Sequence, residues 1–262
     1  MWHLISTVLK VLPVLIWDYF AWILRYSGKK KDKIPFEKRS KKARDLIRFA
    51  IKCLKYDIRV EGLENLPQEP ACYFGNHLSA LDPLAMFEIF DTPICFVGKV
   101  EIKKIPVIGR IFTAADSLFL DRSNLKQQLK VMLAVQESLE QKRANWFVFP
   151  EGTRNKDQMA VMLPFQHGAF RSGMKAGVPI VPFAHTGEFR IMSKKHSFKK
   201  YPTHIKFLKP IYPEEYKDMS TEEVAAIVQS RIQQALTFDL HKKDHAAMCE
   251  LNNKKYRFNR LY

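Results

Sequence analysis

A histidine and an aspartate five positions apart, His77 and Asp82, carry the first chemistry legible in this 262-residue chain. They close the stretch Ala-Cys-Tyr-Phe-Gly-Asn-His-Leu-Ser-Ala-Leu-Asp, residues 71–82. The apolar run Ala71 to Phe74 ends at Gly75-Asn76-His77, and Asp82-Pro83 opens an apolar stretch from Leu84 to Phe90. Such a pattern reads as strand, tight turn and helix, with Asp82 before a proline as a natural N-cap. On one helix the two side chains would stand roughly 140° apart. A loop instead lets the carboxylate fold back onto the imidazole. It then fixes the tautomer and leaves the second ring nitrogen free to accept a proton. This is a base without a serine or cysteine nucleophile beside it in sequence. The plainer alternative is a surface-loop histidine and an aspartate that only caps.

Three further stretches end an apolar run on a turn with an exposed cation: Cys95 to Lys99, Leu118 to Arg122, and Phe147 to Arg154. In the last, Gly152 tolerates a positive φ, so the turn can present Glu151, Thr153 and Arg154 toward one point. Ligands of open α/β sheets sit outside strand ends, where such loops meet. The arginine fork suits phosphate through bidentate, charge-assisted hydrogen bonds. Two arginines and a lysine around one cavity describe a phosphomonoester site better than a nucleic-acid stripe. Taken singly, Asp121-Arg122 reads equally as a surface ion pair worth about 0–1 kcal/mol, and Glu151-Gly-Thr-Arg as an ordinary turn.

These turns need a scaffold. Strands are expected at 57–60, 71–74, 94–97, 117–120, 146–149, 180–183 and 205–208. Helices are expected at 40–55, 83–90, 123–142 (capped by Ser123), 166–176 and 220–238, with an amphipathic turn over 100–109. Strands alternating with helices indicate an α/β layer fold. Four cysteines show no CxxC pair or metal spacing, which reads as a reducing compartment and no structural metal. The charge of +16 points to a polyanionic partner. Eleven Lys/Arg against three acids between Arg25 and Arg48 supply half of it, a net +8.

Ahead of that cluster, residues 2–26 are apolar and aromatic, interrupted by Lys10, Pro13 and Asp18. A membrane span needs about 20 predominantly apolar residues. Trp2, Trp17, Tyr19, Trp22 and Tyr26 are side chains favoured at headgroup depth, and Lys29 to Lys31 follow at once. An interfacial or re-entrant helix pair broken near Pro13 is the preferred reading. A tilted spanning anchor and a helix packed on the globular core are the alternatives, and on the two membrane readings the basic cluster is cytoplasmic. The tail from Phe238 to Tyr262 mixes Lys242, Lys243, Lys254, Lys255, Arg257 and Arg260 with Tyr256, Phe258 and Tyr262, and reads as a solvated basic end, with a second membrane contact as the alternative. The expected units are therefore 1–28 (membrane-associated helical segment), 29–56 (basic amphipathic linker and helix), 57–240 (catalytic domain) and 241–262 (basic tail).

Four blocks occur in order: Asn-His-Leu-Ser-Ala-Leu-Asp (76–82), Leu-Phe-Leu-Asp-Arg (118–122), Phe-Pro-Glu-Gly-Thr-Arg-Asn (149–155) and Val-Pro-Ile-Val-Pro-Phe (178–183). Together they resemble the glycerolipid acyltransferase family over roughly residues 55–210. The resemblance implies an αβ sandwich with an N-terminal membrane-associated helical motif. It implies acyl transfer from a thioester of coenzyme A or acyl carrier protein to the sn-2 hydroxyl of lysophosphatidate, giving phosphatidate. Glycerol 3-phosphate or another lysophospholipid is the alternative acceptor, and a non-catalytic basic membrane binder the rival of another class. By the same resemblance His77 is the general base and Asp82 its orienting partner. Arg122, Glu151, Gly152, Thr153 and Arg154 hold the glycerol phosphate with Lys99, and the Val178–Phe183 strand lines the acyl channel. No metal, cofactor or nucleic acid is expected; the thioester is a co-substrate and an anionic membrane surface a partner. An oxyanion donor is expected among the backbone N–H groups near His77. Two departures stand out: Asp116-Ser117 where relatives commonly have glycine, and Gln166 where they often have lysine.

Overall fold

All seven apolar runs expected as strands join one sheet in a computed structural model of the chain, which describes residues 2–155, 162–192 and 198–255. The strands are β1 (Tyr56–Glu61), β2 (Cys72–Gly75), β3 (Ile94–Lys99), β4 (Leu118–Leu120), β5 (Asn145–Val148), β6 (Ile180–Thr186) and β7 (Tyr201–Phe207), in the spatial order β1-β7-β6-β2-β5-β3-β4. From β6 to β4 every pairing is parallel; β7 meets β6 antiparallel and carries β1 parallel to itself. The central strands β2 and β6 are buried throughout, as apolar runs covered on both faces must be.

Helices α1 (Trp2–Asp18), α2 (Leu24–Tyr26) and α3 (Phe36–Cys53) precede the sheet, and α4 (Asp82–Ile89), α5 (Ile108–Ala114), α6 (Leu125–Glu140) and α7 (Arg171–Ala176) connect its strands. After β7 come α8 (Pro213–Tyr216), α9 (Thr221–Ala235) and α10 (His241–Asn252). One core layer packs Phe74, Trp146, Ile180 and Ala184 against Val135 and Leu139 of α6 and Val224, Val228 and Ile232 of α9. The other packs Tyr73, Phe147, Val181 and Phe207 against Ile47 and Ile51 of α3 and Met86 and Phe87 of α4. The result is an αβ sandwich with helices on both faces, as expected.

Several boundaries differ from the sequence reading for local reasons. Asn124, not Ser123, caps α6, accepting from Gln127 N at 3.0 Å, while Ser123 bonds back to Asp121. Residues 100–109 hold a 3₁₀ turn and the start of α5, a helix hidden in sequence by Pro106 and Gly109. The segment 166–176 begins with a 3₁₀ turn over His167–Phe170 before α7.

The N-terminal segment is one helical run, not a pair broken at Pro13, which lies inside α1. A proline removes a single backbone donor. The register changes later, in a π-helical turn over Tyr19–Ile23 that buries Trp22 and Ile23. One face of the run packs on the domain: Thr7 Oγ1 donates to Cys53 O at 3.0 Å, and Val11, Ile23 and Tyr26 are buried. The other exposes Val8, Leu9, Leu12, Ile16, Trp17 and Phe20. By length and composition Ile5–Tyr26 is apolar enough to cross a membrane.

Residues 241–252 are not a solvated tail. Helix α10 buries Ala247 and Met248, and its fully buried Asp244 takes a two-point ion pair from the Arg190 guanidinium, one contact at 2.7 Å. Tyr256, Arg257, Phe258, Arg260 and Tyr262 lie outside the described residues.

The basic segment is partly internal too. Arg39 is 2% exposed and donates to Ile34 O, Ala114 O and both oxygens of Asp116, at 2.7–3.1 Å. Lys31 reaches the same carboxylate, and Arg48 donates to Phe87 O and Glu88 O at 2.9 Å. Asp116 has a φ of +52°, the left-handed region that glycine enters freely and aspartate tolerates. This accounts for the first departure from the family pattern: the backbone keeps the glycine conformation, and the side chain anchors α3. Burial pushes the Asp116 carboxyl up, but hydrogen bonds from Arg39 and Lys31 outweigh it, and the net shift is downward. A depressed carboxyl stabilises the fold above its unfolded value of about 3.9 and loses that contribution as pH falls through the folded value. Asp116→Asn should keep the left-handed backbone, lower the melting temperature at pH 7, and flatten the wild-type loss of stability below about pH 4, read by thermal melts across pH. Equal acid sensitivity in both proteins would count against this anchor.

Candidate active site

Parallel strands β2, β3, β4 and β5 all point their carboxyl ends to one edge, so the turns after Gly75, Lys99, Leu120 and Val148 converge there. Gly75 allows this packing: a Cβ on it would meet the Phe183 ring at 2.2 Å. Beyond it, the Asn76 amide bridges to β6, donating to His185 O at 2.9 Å and accepting from His185 N at 3.0 Å.

Asp82 is the first residue of α4 rather than its cap, which is Leu81. Its fully buried carboxylate turns back into the loop, where Oδ2 accepts from Leu78 N at 2.8 Å and Ser79 N at 2.9 Å. The same oxygen lies 2.7 Å from His77 Nδ1. With Nδ1–H held by the carboxylate, the proton-accepting atom is Nε2. The imidazole, with a side chain 21% exposed, stacks on Phe149 at a centroid distance of 4.7 Å. The pair expected from sequence is thus formed by direct contact.

Glu151 ties the third block to the first. It is 5% exposed; Oε1 accepts from His77 N at 2.7 Å and Oε2 from Leu163 N at 2.9 Å. Burial raises its carboxyl even though both bonds favour the anion. With both oxygens held by backbone donors, its geometry is that of a positioning group rather than a phosphate neighbour. Asn155 N adds a second tie, donating to His77 O at 2.8 Å. The N–H groups of His77, Leu78 and Ser79 are therefore all held by carboxylates. The oxyanion donor expected near His77 is not among these three.

Gly152 turns at φ +71° and its carbonyl accepts from the Arg122 guanidinium, which lies over the glycine Cα. Asp121 instead accepts from Ser123 at 2.6 and 2.9 Å, so the Asp121–Arg122 surface pair is not formed. Lys99 pairs with Glu101 at 3.0 Å. Thr153 and Arg154 are exposed.

A cleft of about 300–1,000 Å³ is typical for a small-molecule site, and one of about 670 Å³ opens at this edge. Lys99, Arg122, Glu151 and Gly152 line it, with Leu120, Leu129, Met132, Val148 and Phe149 forming its apolar wall. Arg171, at the start of α7, joins the cationic rim and Gln166 lies beside it. Sequence reasoning passed over Arg171, whose only signal was its place five residues after the position where relatives often have lysine. Thr153, Arg154 and the Val178–Phe183 strand do not line the cleft; β6 lies between β2 and β7, with its side chains in the two core layers. His77 meets the cleft through Phe149.

An αβ sandwich with an imidazole–carboxylate pair and a cationic, apolar-walled cleft at one strand edge can hold a proton acceptor close to a ligand that carries both an anion and an apolar chain. The profile described as Acyltransferase matches residues 57–186, and the chain belongs to this family. The 1-acyl-sn-glycerol-3-phosphate acyltransferase of Saccharomyces cerevisiae is 32% identical over 181 residues, 68% of this chain and 59% of that protein. The chain thus spans under two thirds of that relative's length. A probable 1-acyl-sn-glycerol-3-phosphate acyltransferase of Mycoplasma pneumoniae is 29% identical over 249 residues, 88% of this chain and 91% of that one. The crystal structure of the 1-acyl-sn-glycerophosphate acyltransferase of Thermotoga maritima has the same fold, with a TM-score of 0.67 over 89% of this chain and 96% of that chain at 23% identity.

Glu151→Gln should report the tie between the blocks. An amide offers one acceptor oxygen where two are required, and an unmatched buried donor costs about 1–3 kcal/mol. The variant is expected to melt lower and to lose turnover by about 10-fold or more, because a misplaced base forfeits orientation. Wild-type turnover in a folded Glu151→Gln protein would remove the positioning role.

Proposed function

We propose that the chain is a 1-acyl-sn-glycerol-3-phosphate O-acyltransferase, moving a fatty acyl group from an acyl thioester to the sn-2 hydroxyl of lysophosphatidate. The observation that carries this reading is the contact of His77 with buried Asp82 beside a cleft with a cationic rim and an apolar wall. The cleft matches an acceptor with a phosphate at one end and an acyl chain at the other.

In the proposed mechanism, His77 Nε2 takes the proton of the acceptor hydroxyl as its oxygen attacks the thioester carbonyl. Asp82 holds the imidazolium that forms. When the tetrahedral intermediate collapses, the C–S bond breaks and the proton passes from Nε2 to the leaving thiolate. General-base help of this kind contributes roughly 10²–10⁴ in rate. Arg122 and Arg171, with Lys99, hold the phosphate, so the hydroxyl is oriented before chemistry begins. Arg171 thereby supplies the charge that Gln166 lacks. Glu151 and Gly152 shape the turn, and Thr153 flanks it. The thioester carrier is coenzyme A or acyl carrier protein.

The exposed side chains Val8, Leu9, Leu12, Ile16, Trp17 and Phe20 suit the interfacial region of an anionic leaflet, with the domain on the cytoplasmic face. Leu125, Leu129 and Leu133 of α6 are exposed as well, and the first two line the cleft.

The test is thiol release from an acyl thioester by detergent-solubilised protein, with and without lysophosphatidate. Release that depends on lysophosphatidate is expected; release only with glycerol 3-phosphate changes the acceptor, and release with neither ends the reading. His77→Ala should reduce transfer at least about 100-fold while lysophosphatidate still binds. Arg122→Ala and Arg171→Ala should chiefly raise KM for the acceptor, by about 10- to 100-fold, the loss of one or two charged hydrogen bonds. An unchanged acceptor KM in both arginine variants would detach the cationic rim from the phosphate.

A further inference from the structure

A second imidazole lies 3.8 Å from the Asp82 oxygen that His77 contacts, and the mechanism above does not use it. His185, at the carboxyl end of β6, is completely buried, and so is Glu188 in the turn that follows. His185 Nδ1 is 3.1 Å from Glu188 Oε1, and Nε2 faces both the Asn76 carbonyl and, at 3.8 Å, Asp82 Oδ2. His77, Asp82, His185 and Glu188 thus alternate ring and carboxylate in one line. Asp82 Oδ1 and Glu188 Oε2 are both buried and lack a hydrogen-bond partner among the described residues. Two buried carboxylates, each only partly hydrogen-bonded, need a compensating cation close by. The ring between them is His185.

We propose that His185 and Glu188 form a buried imidazolium–carboxylate pair that positions Asp82 and shares its negative charge, weakening the pull of Asp82 on the His77 proton. His185 is a positioning residue here, since it reaches the substrate only through Asp82. The proposal rests on His77 being the base of the proposed reaction. Each contact on the ring agrees with it. The Asn76 carbonyl can only accept, so Nε2 carries a proton, and a carboxylate on Nδ1 holds a second. Burial opposes the charge on His185, but Glu188 and Asp82 outweigh it, raising the ring to about 9. The other titratable groups facing this cluster are Glu151, the His77 ring and the Tyr56 hydroxyl, whose ionisation is pushed up first by burial and then by Glu188 and Asp82. None supplies a competing cation from behind. Phe183 and Phe149 close the remaining sides with their rings, at 5.8 and 6.1 Å from His185.

The sign of the effect follows. A positive ring beside Asp82 makes the His77 imidazolium less favourable than Asp82 alone would. Glu188→Gln keeps the shape but removes the anion that holds the second proton, leaving His185 neutral. The pH at which the His77 ring titrates should then rise by about half a unit or more. The acid limb of kcat/KM should rise with it.

The experiment is ring-nitrogen NMR of the full chain in detergent, on ¹⁵N-histidine protein, between pH 5 and 9. In the wild type, one histidine should keep both ring nitrogens protonated at pH 8, where an ordinary histidine is neutral. In Glu188→Gln that signal should vanish and the His77 titration should move up. Eight neutral histidines at pH 8 in the wild type, or a bare Nδ1 accepting from a protonated Glu188, would overturn the proposal whether or not the variant folds. So would a folded Glu188→Gln protein whose His77 titration stays in place, since a pair that only fills space moves the melting temperature alone. Neither reading uses turnover, so a chain that fails to transfer acyl groups sinks the proposed function and leaves the charge of this pair to be judged separately.

Discussion

A carboxylate with no exposed surface is the constraint that the rest of this structure answers to. Removing an ionised carboxylate from water costs several kcal/mol unless hydrogen bonds and opposite charge replace the lost hydration. Around Asp82 those replacements are two backbone N–H groups and two imidazoles. Meeting them fixes the path of residues 77–82, because Leu78 and Ser79 must both aim their amides inward while the chain turns into α4. Starting α4 at Asp82 also sets the anion at the positive end of the helix dipole. The ring of His77 inherits its orientation from this loop. It has little freedom left before any substrate arrives, which is the condition under which a single base contributes most.

The same economy of donors has a consequence for the chemistry. The amides of His77, Leu78 and Ser79 are already engaged, so on the proposed function the group that meets a developing oxyanion is not one of these three. The loops are moreover bonded across to one another: Glu151 and Asn155 to His77, Arg122 to Gly152, Asn76 to His185. A turn held by its neighbour's backbone cannot shift alone. Substitutions in the 149–155 turn therefore reach His77 through the Phe149 ring, the Glu151 carboxylate and the Asn155 backbone.

Seven strands and the His77–Asp82 contact were legible in the sequence because each rests on a local signal: an apolar run between glycines, or a short loop between two polar residues. What was not legible depends on partners distant in sequence. Glu151 reads as a ligand until its two oxygens are seen on His77 N and Leu163 N. Arg39 reads as one more surface charge until it is found under Asp116, with α3 laid across the end of β4. His185 sits in an apolar strand with nothing nearby in sequence to mark it, and its role emerges only where β6 lies beside β2. Pro13 and the tail from 241 misled for the opposite reason. A strong local rule was overridden by packing, against α3 in the first case and against β7 in the second.

The internal use of Arg39, Lys31 and Arg48 also changes what the charge of +16 implies. Each residue held by a protein acceptor contributes less to a field outside the molecule than a free one does, so the net +8 of residues 25–48 overstates the attraction toward an anionic leaflet. On the membrane reading, the exposed face of α1 then carries the larger share. Trp17 and Phe20 are 75% and 72% exposed, and covering apolar surface of this kind contributes about 25 cal/mol per Å². The two contributions respond differently to salt: screening at physiological ionic strength damps the charge–charge part beyond about 8 Å, whereas the burial of rings and leucines is left intact. A chain anchored mainly through α1 would thus stay on the bilayer while the freely exposed lysines lose their hold.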